Sequence, residues 1–307
     1  MKISILGAGA MGSLFGGFLS EAGNEVWLVD IWREHVDAIH AKGLIVEDER
    51  GERLIRGLRA VTSPGEAGES ELVIVFVKST VTEQAVGGAR ALFGKETLVL
   101  TLQNGLGNVE RIASVIPASM ILAGVTAQGA TVLGPGRIYH AGAGLTSIGE
   151  ISGPPTPRVK RVAGLLDDAG IRTQVSDNVM GLIWGKLLVN VGINALSALT
   201  GLRNGELLDH PETLELMELG VLEAARVAEA RGIQLPYEDP VAHTKEVAKL
   251  TSYNRSSMLQ DVLARRRTEI DAINGAIVRE GEALGIRTPI NKVLTNLVRM
   301  LEKAYLR

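Results

Sequence analysis

The chain contains no cysteine, which excludes a disulfide framework and any thiolate acting as nucleophile or metal ligand. It also has almost no charge excess. Its 32 basic and 35 acidic residues leave a formal net charge of −3, so no basic surplus points to a nucleic-acid partner. The five histidines (His35, His40, His140, His210 and His243) are scattered, and no two have the spacing that sets metal ligands on one helix face. No metal is expected. There is no internal repeat and no low-complexity segment. No long apolar stretch is expected to span a bilayer, because Lys186 and Asn190 interrupt the best candidate. Lys2 followed by Ile3–Leu19 imitates a short signal peptide, but glycines 7, 9, 12, 16 and 17 fall inside it in a pattern with a better explanation. The default is a soluble, cytoplasmic protein without a membrane partner.

What is present is enough chain for two cores. A length of 307 residues, 46% of them hydrophobic, suggests two domains. The first half alternates. Strands are expected at Ile3–Leu6, Glu25–Val29, Leu72–Val77 and Leu98–Leu102, and helices over Ala10–Ala22 and Arg33–Ala41. The continuous β-rich runs LVIVFV and LVLTL suit strands covered on both faces, so the alternation argues for a parallel sheet with helices on either side. From Ile121 to Gly149, short glycine-separated strands read as antiparallel additions to that sheet. A Pro-rich turn leads into a helix ending near Ala169, and a strand follows at Ile171–Val175. After Ser176 the strand signal vanishes. Segments 178–200, 211–231, 239–251, 256–284 and 289–306 all read as helices, punctuated by Gly232, Pro236, Gly285 and Pro289. The expected division is therefore residues 1–177 and residues 178–307, an α/β domain followed by an all-α domain. The apolar C-terminal helices could bury a homodimer interface or only their own core.

Gly7-Ala8-Gly9-Ala10-Met11-Gly12 matches G-x-G-x-x-G between a strand and a helix. Gly7 permits the tight turn, Gly9 lets backbone approach a pyrophosphate, and Gly12 lets helix and strand pack closely. The following helix offers unpaired N–H groups at Ala10 and Met11 and the positive end of its dipole. Within a βαβ unit at the very start of the chain, this is a Rossmann-type dinucleotide-binding signature. Asp30 ends the second strand, where a carboxylate accepts from the adenosine 2′-hydroxyl and repels a 2′-phosphate, which favours NAD(H). Arg33, three residues on, could reach a 2′-phosphate instead.

The other informative feature is a ladder. Lys186, Asn190 and Asn194 stand at i, i+4 and i+8 in the apolar run Val179–Leu199, on one face of a helix. A buried ammonium and two buried amides are costly unless they face partners or a wet cleft, so the ladder is expected to line a site in a cleft between the domains. Only Lys186 among the three can give up a proton.

Together with the glycine motif and the ladder, six segments carry a resemblance. They are Phe76-Val77-Lys78, Gln103-Asn104-Gly105, Arg203-Asn204-Gly205-Glu206, Asn254-Arg255-Ser256-Ser257-Met258-Leu259-Gln260-Asp261, Arg267-Thr268-Glu269-Ile270-Asp271 and Ile273-Asn274-Gly275. Over essentially its whole length the chain resembles the ketopantoate reductase (2-dehydropantoate 2-reductase) family. The resemblance implies NADP(H)-dependent hydride transfer to the ketone of ketopantoate, giving pantoate on the route to pantothenate and coenzyme A. It implies Lys186 as general acid with Glu269 as its partner. It also implies substrate hydrogen bonds from Asn190, Asn194, Asn254 and Ser257, a cleft shaped by Asn204, and Lys78 and Asn104 beside the nicotinamide and its ribose. NADPH-using members generally carry a basic or neutral residue where this chain has Asp30, so NAD(H) stays open. A reductase of another branched 2-keto acid and a non-catalytic dinucleotide sensor are the alternatives. Ser257 and Glu269 set a geometric condition. On one straight helix they would lie about 18 Å apart and about 120° around the axis, so a shared site requires a break or bend between about Asp261 and Arg267, or Ser257 in a preceding turn.

Overall fold

The computed structural model describes residues 1–306, and within it the chain forms two compact units. One comprises Met1–Gln103 and Asn108–Val179; the other comprises Asn104–Gly107 and the chain from Met180 onward. The second unit thus includes a four-residue excursion that a single boundary after residue 177 does not anticipate.

The first unit contains strands β1 (Lys2–Leu6), β2 (Glu25–Val29), β3 (Leu44–Asp48), β4 (Gly51–Ile55), β5 (Arg59–Val61), β6 (Ser70–Val75), β7 (Phe93–Thr101), β8 (Ile121–Thr126), β9 (Gly129–Gly134), β10 (Arg137–Gly142), β11 (Thr146–Glu150) and β12 (Thr173–Val175). Its α-helices are α1 (Ala10–Glu21), α2 (Arg33–Lys42), α3 (Pro64–Ala67), α4 (Thr82–Gly88), α5 (Asn108–Ala113) and α6 (Pro157–Asp168). Eight strands form one sheet in the order β12-β11-β8-β7-β6-β1-β2-β5. Strands β5, β2, β1, β6, β7 and β8 pair in parallel, and β11 joins antiparallel to β8. Central strands such as β6 are buried on both faces, as their unbroken apolar runs require.

The expectation of antiparallel additions over residues 121–149 holds for β11 and needs correcting for the rest. β8 continues the parallel sheet, and β9 and β10 leave it altogether. They join β3 and β4 in a second sheet of order β4-β3-β10-β9, held by a parallel pairing of β3 with β10. Neither the β3–β4 hairpin nor β5 is anticipated by the sequence pattern. The second sheet explains why the first helix is so apolar. Every residue from Gly12 to Leu19 is buried. A Cβ on Gly16 would meet Leu28 of the large sheet, while one on Gly17 would meet Ile55 and Leu44 of the small sheet. α1 is packed between two sheets, with small residues facing both, and its resemblance to a signal peptide is a consequence of that double burial.

The second unit is helical: α7 (Val179–Thr200), α8 (Pro211–Ala230), α9 (Pro240–Leu250), α10 (Ser257–Leu263), α11 (Asn274–Leu284) and α12 (Pro289–Tyr305). By length and hydropathy α7 could cross a membrane despite Lys186 and Asn190, but 67% of its most apolar window is buried, as in the core helix of a globular domain. Leu187, Leu188, Val191 and Leu196 are at the centre of that core. The segment 256–284, expected as one helix, is three pieces. α10 stops at Leu263, Arg265 takes a positive φ of 51°, and a short 3₁₀ turn at Ile270–Ala272 precedes α11. Thr268 anchors the break, its N–H and hydroxyl both donating to the buried carboxylate of Glu302 on α12 (2.7 and 2.6 Å).

Candidate active site

In the first unit the glycine motif forms the turn expected of it. Gly7 has φ +99°, and a Cβ there would lie 2.6 Å from the N of Val77. A Cβ on Gly12 would collide with the carbonyl oxygen of Gly7, whereas one on Gly9 would meet nothing within 4 Å. Gly9 is therefore the open side of the turn, where a ligand's phosphates can approach backbone. Gly9 also begins α1 with no side-chain cap, so the first N–H groups of this twelve-residue helix, at Ala10 and Met11, remain available to an anion. Those features fit a dinucleotide pyrophosphate.

Asp30 stands just beyond β2. Its Oδ2 accepts from the N–H of Ala8 (2.6 Å) and its Oδ1 from the N–H of Trp32 (2.9 Å). The carboxylate is thus clamped against the turn with its remaining lone pairs free for a ribose diol. Arg33 is exposed and, with Arg59 and Thr62, lines a groove of about 590 Å³ beside β5. Lys78 is exposed on the loop after β6. Sequence reasoning missed how that loop is held. Nε2 of Gln103 donates to the carbonyl of Val77 (2.6 Å) and to Oγ1 of Thr82 (2.8 Å), tying the ends of β6 and β7 together. The Gln-Asn-Gly segment was visible, but nothing local says which backbone its amide would reach.

In the second unit α7 presents the ladder. Lys186 and Asn190 are half-buried and Asn194 is 5% exposed, so the row runs from open to closed along the helix. The broken segment after α10 delivers Glu269, 7% exposed, into electrostatic range of Lys186. Burial lowers the Lys186 ammonium from its ordinary value to about 8, and the Glu269 carboxylate opposes that lowering. Between Ser257 and Glu269 the helix breaks, as a shared site would require, and does not merely bend. Residues Asn104–Gly107 pack on the same turn. Leu106 donates to the carbonyl of Ala272 (2.9 Å), and Gly105, at φ +81°, is so close that a Cβ would lie 2.5 Å from that oxygen. Asn104 therefore belongs with the Glu269 segment by packing, although it follows a sheet strand in sequence.

The remaining candidates divide. Asn254 and Ser257 are exposed. The cap of α10 is Ser256, whose Oγ accepts from the N–H of Leu259 (3.1 Å), which leaves the Ser257 hydroxyl uncommitted to capping. Asn204 is the residue expected to shape the cleft. It is buried, its amide donates to Oγ1 of Thr251 (2.9 Å), and its N–H donates to the carbonyl of Asn254 (3.0 Å). It clamps the loop that carries Asn254 and does not itself face outward. Among the described residues, no group of three or more His, Cys, Asp or Glu side chains is arranged to hold a metal.

A parallel sheet with an open glycine turn, joined to a helical unit carrying a desolvated lysine and a carboxylate, defines a two-domain nicotinamide-dependent oxidoreductase. The comparisons with known proteins narrow this. The model of the "Ketopantoate reductase PanE/ApbA" family matches residues 3–153, and that of its C-terminal domain matches residues 178–302. The chain belongs to the ketopantoate reductase family. It is 38% identical over 306 residues to the 2-dehydropantoate 2-reductase of Halobacterium salinarum, covering 99% of each chain. Among solved structures, it is similar to a PanE/ApbA family ketopantoate reductase from Ralstonia eutropha (37% identity, TM-score 0.92, 100% of both chains). It is also similar to D-mandelate dehydrogenase in ternary complex with NADH and anilino(oxo)acetate (33% identity, TM-score 0.94, 100% of this chain and 99% of that one).

Proposed function

We propose that the protein reduces the ketone of 2-dehydropantoate to the alcohol of pantoate. The observation that carries this reading is Lys186, a lysine in an apolar helix lowered to about 8 and faced by Glu269. The reduced nicotinamide, when bound, supplies the hydride. Hydride arrival at the keto carbon leaves an alkoxide, which needs a positive field and a proton. The Lys186 ammonium provides both, and a value near 8 keeps it largely protonated at neutral pH while making it a better acid than a solvated lysine. Glu269 holds the ammonium charged. Amides of Asn190 and Asn194, with Asn254 and the hydroxyl of Ser257, donate to the substrate carboxylate and hydroxyl. Lys78 and Asn104 attend the nicotinamide and its ribose.

For the cofactor we favour NADH. A carboxylate held by two backbone N–H groups at the end of β2 offers acceptors to a ribose diol and repels a 2′-phosphate. NADPH, the usual family reductant, would have to draw on Arg33. The test is loss of reduced-nicotinamide absorbance with ketopantoate, measured separately with NADH and NADPH. Oxidation that depends on the keto acid supports the reading. Cofactor binding without oxidation, across ketopantoate and other branched or aromatic 2-keto acids, overturns the enzyme and leaves a dinucleotide sensor. The likeness to D-mandelate dehydrogenase favours the second reading, a reductase of another 2-keto acid, and the ranking of rates decides between the two.

The partner beyond small molecules is a second copy of the chain. α8 exposes Leu219 and Leu222, and α12 exposes Val293, Leu297 and Met300. The two helices are adjacent, since the Glu223 carboxylate accepts from the N–H groups of Ile290 and Asn291. The exposed charges of α8 are mainly acidic (Glu212, Glu215, Glu229) and those of α12 basic (Lys292, Arg299, Lys303). A two-fold axis laying α8 on the partner's α12 joins apolar to apolar and acid to base twice over.

A further inference from the structure

The dinucleotide turn is gripped from behind by a side chain that the reading above does not use. His35, in the first turn of α2, is fully buried. Its Nδ1 receives the backbone N–H of Gly136 (3.0 Å), in the turn between β9 and β10. A backbone N–H can only donate, so Nδ1 carries no proton and the neutral ring has its hydrogen on Nε2. That hydrogen goes to Oγ of Ser13 (3.0 Å), and the Ser13 hydroxyl donates onward to the carbonyl of Ala8 (2.8 Å). Every proton in the chain Gly136, His35, Ser13, Ala8 therefore has one direction. Ala8, between the two critical glycines, is held at its carbonyl by this chain and at its N–H by Asp30. The circuit closes through Trp32, whose N–H binds Asp30 and whose indole stacks on the His35 ring at 4.7 Å. Burial lowers the His35 pKa, with the Asp30 carboxylate opposing, which agrees with a ring kept neutral.

We propose that His35 is a positioning residue for the cofactor. Oriented by the β9–β10 turn, it sets the Ala8 peptide through Ser13, so that the turn's N–H groups and the Asp30 carboxylate meet pyrophosphate and ribose in register. The small sheet, absent from the simplest βαβ nucleotide fold, thereby acts on cofactor affinity from outside the site. This rests on reading the glycine turn as the dinucleotide site. A histidine that merely fills the core would affect folding without regard to which hydrogen bonds its replacement can make.

The test titrates NADH and NADPH into the full-length wild type, His35→Ala, His35→Gln and Ser13→Ala, with melting curves for each and kcat at saturating cofactor. His35→Ala and Ser13→Ala should each raise Kd about tenfold, the effect of losing one buried hydrogen bond, with kcat unchanged. His35→Gln should recover most of the affinity, because one amide supplies an acceptor for Gly136 and a donor for Ser13. Wild-type affinity in His35→Ala, or a folded His35→Gln that binds as weakly as His35→Ala, would overturn the role. If His35→Ala does not fold, Ser13→Ala and His35→Gln carry the same comparison. A wild type that binds neither dinucleotide fails at the earlier step, the reading of the turn itself.

Discussion

Lys186 and Asp30 each have one property that sequence supplies and one that only their surroundings supply. That Lys186 lies on a polar ladder follows from a four-residue spacing in an apolar run. That its ammonium falls to about 8 depends on burial, with Glu269 working against it. Reduction needs the protonated form. Turnover should therefore be flat below that value and fall as pH rises through about 8. Glu269→Gln removes the group that raises the pKa, so the alkaline limb should move to lower pH; an unmoved limb in a pH–kcat profile would detach Glu269 from Lys186. Lys186→Ala should cost roughly 10²–10⁴-fold in kcat, the usual range for a lost general acid, and near-normal turnover at saturating substrate would remove it from the mechanism. Sequence offered Asp30 as a candidate discriminator of cofactors, and only the structure shows its clamp on Ala8 and Trp32. Removing its side chain should thus weaken both cofactors as well as change their ratio. Asp30→Asn, which keeps an acceptor and loses the charge, should shift the NADPH/NADH preference upward with the smaller overall loss. Paired Kd measurements check this, and an unchanged ratio would mean that charge at this position does not discriminate.

Secondary structure elements were readable where their determinants are local. The ends of α1, α2 and α6 follow from glycine and proline punctuation, and the helical pattern after residue 176 from apolar periodicity. The break between α10 and α11 could be required by geometry but not located. It is set by Thr268 reaching Glu302 and by the turn that receives Leu106, both distant in sequence. The hold on Asn204 is hidden for the same reason: its partner Thr251 is invisible in the segment around it. The start of α12 shows what such remote partners contribute. Glu223, on α8 and 3% exposed, accepts from the N–H groups of Ile290 and Asn291 and from the Asn291 amide (2.9, 3.0 and 2.9 Å). Glu223→Ala would leave these buried donors unpaired and should destabilise the protein by about 2–4 kcal/mol. Denaturant unfolding checks it, and a change within error would show that water replaces the carboxylate.

For the whole molecule, the exposed apolar residues of α8 and α12 make association the property most open to measurement. Sedimentation of the wild type should give a dimer, and Leu297→Glu a monomer of unchanged thermal midpoint; a wild-type monomer at micromolar concentration would remove the partner. Sequence by itself determined that a dinucleotide turn opens a parallel α/β domain, that an all-α domain follows, and that an apolar helix carries Lys186, Asn190 and Asn194. Each of these is encoded within a turn or a few helical turns, where steric and hydrophobic periodicity act on neighbours along the chain. Tertiary structure alone decided that β3 pairs with β10 to form a second sheet, that Asn104–Gly107 joins the helical unit, and that Glu269 meets Lys186. Those outcomes depend on hydrogen bonds and burial between segments far apart in sequence, whose energies belong to the pair and are written in neither segment alone.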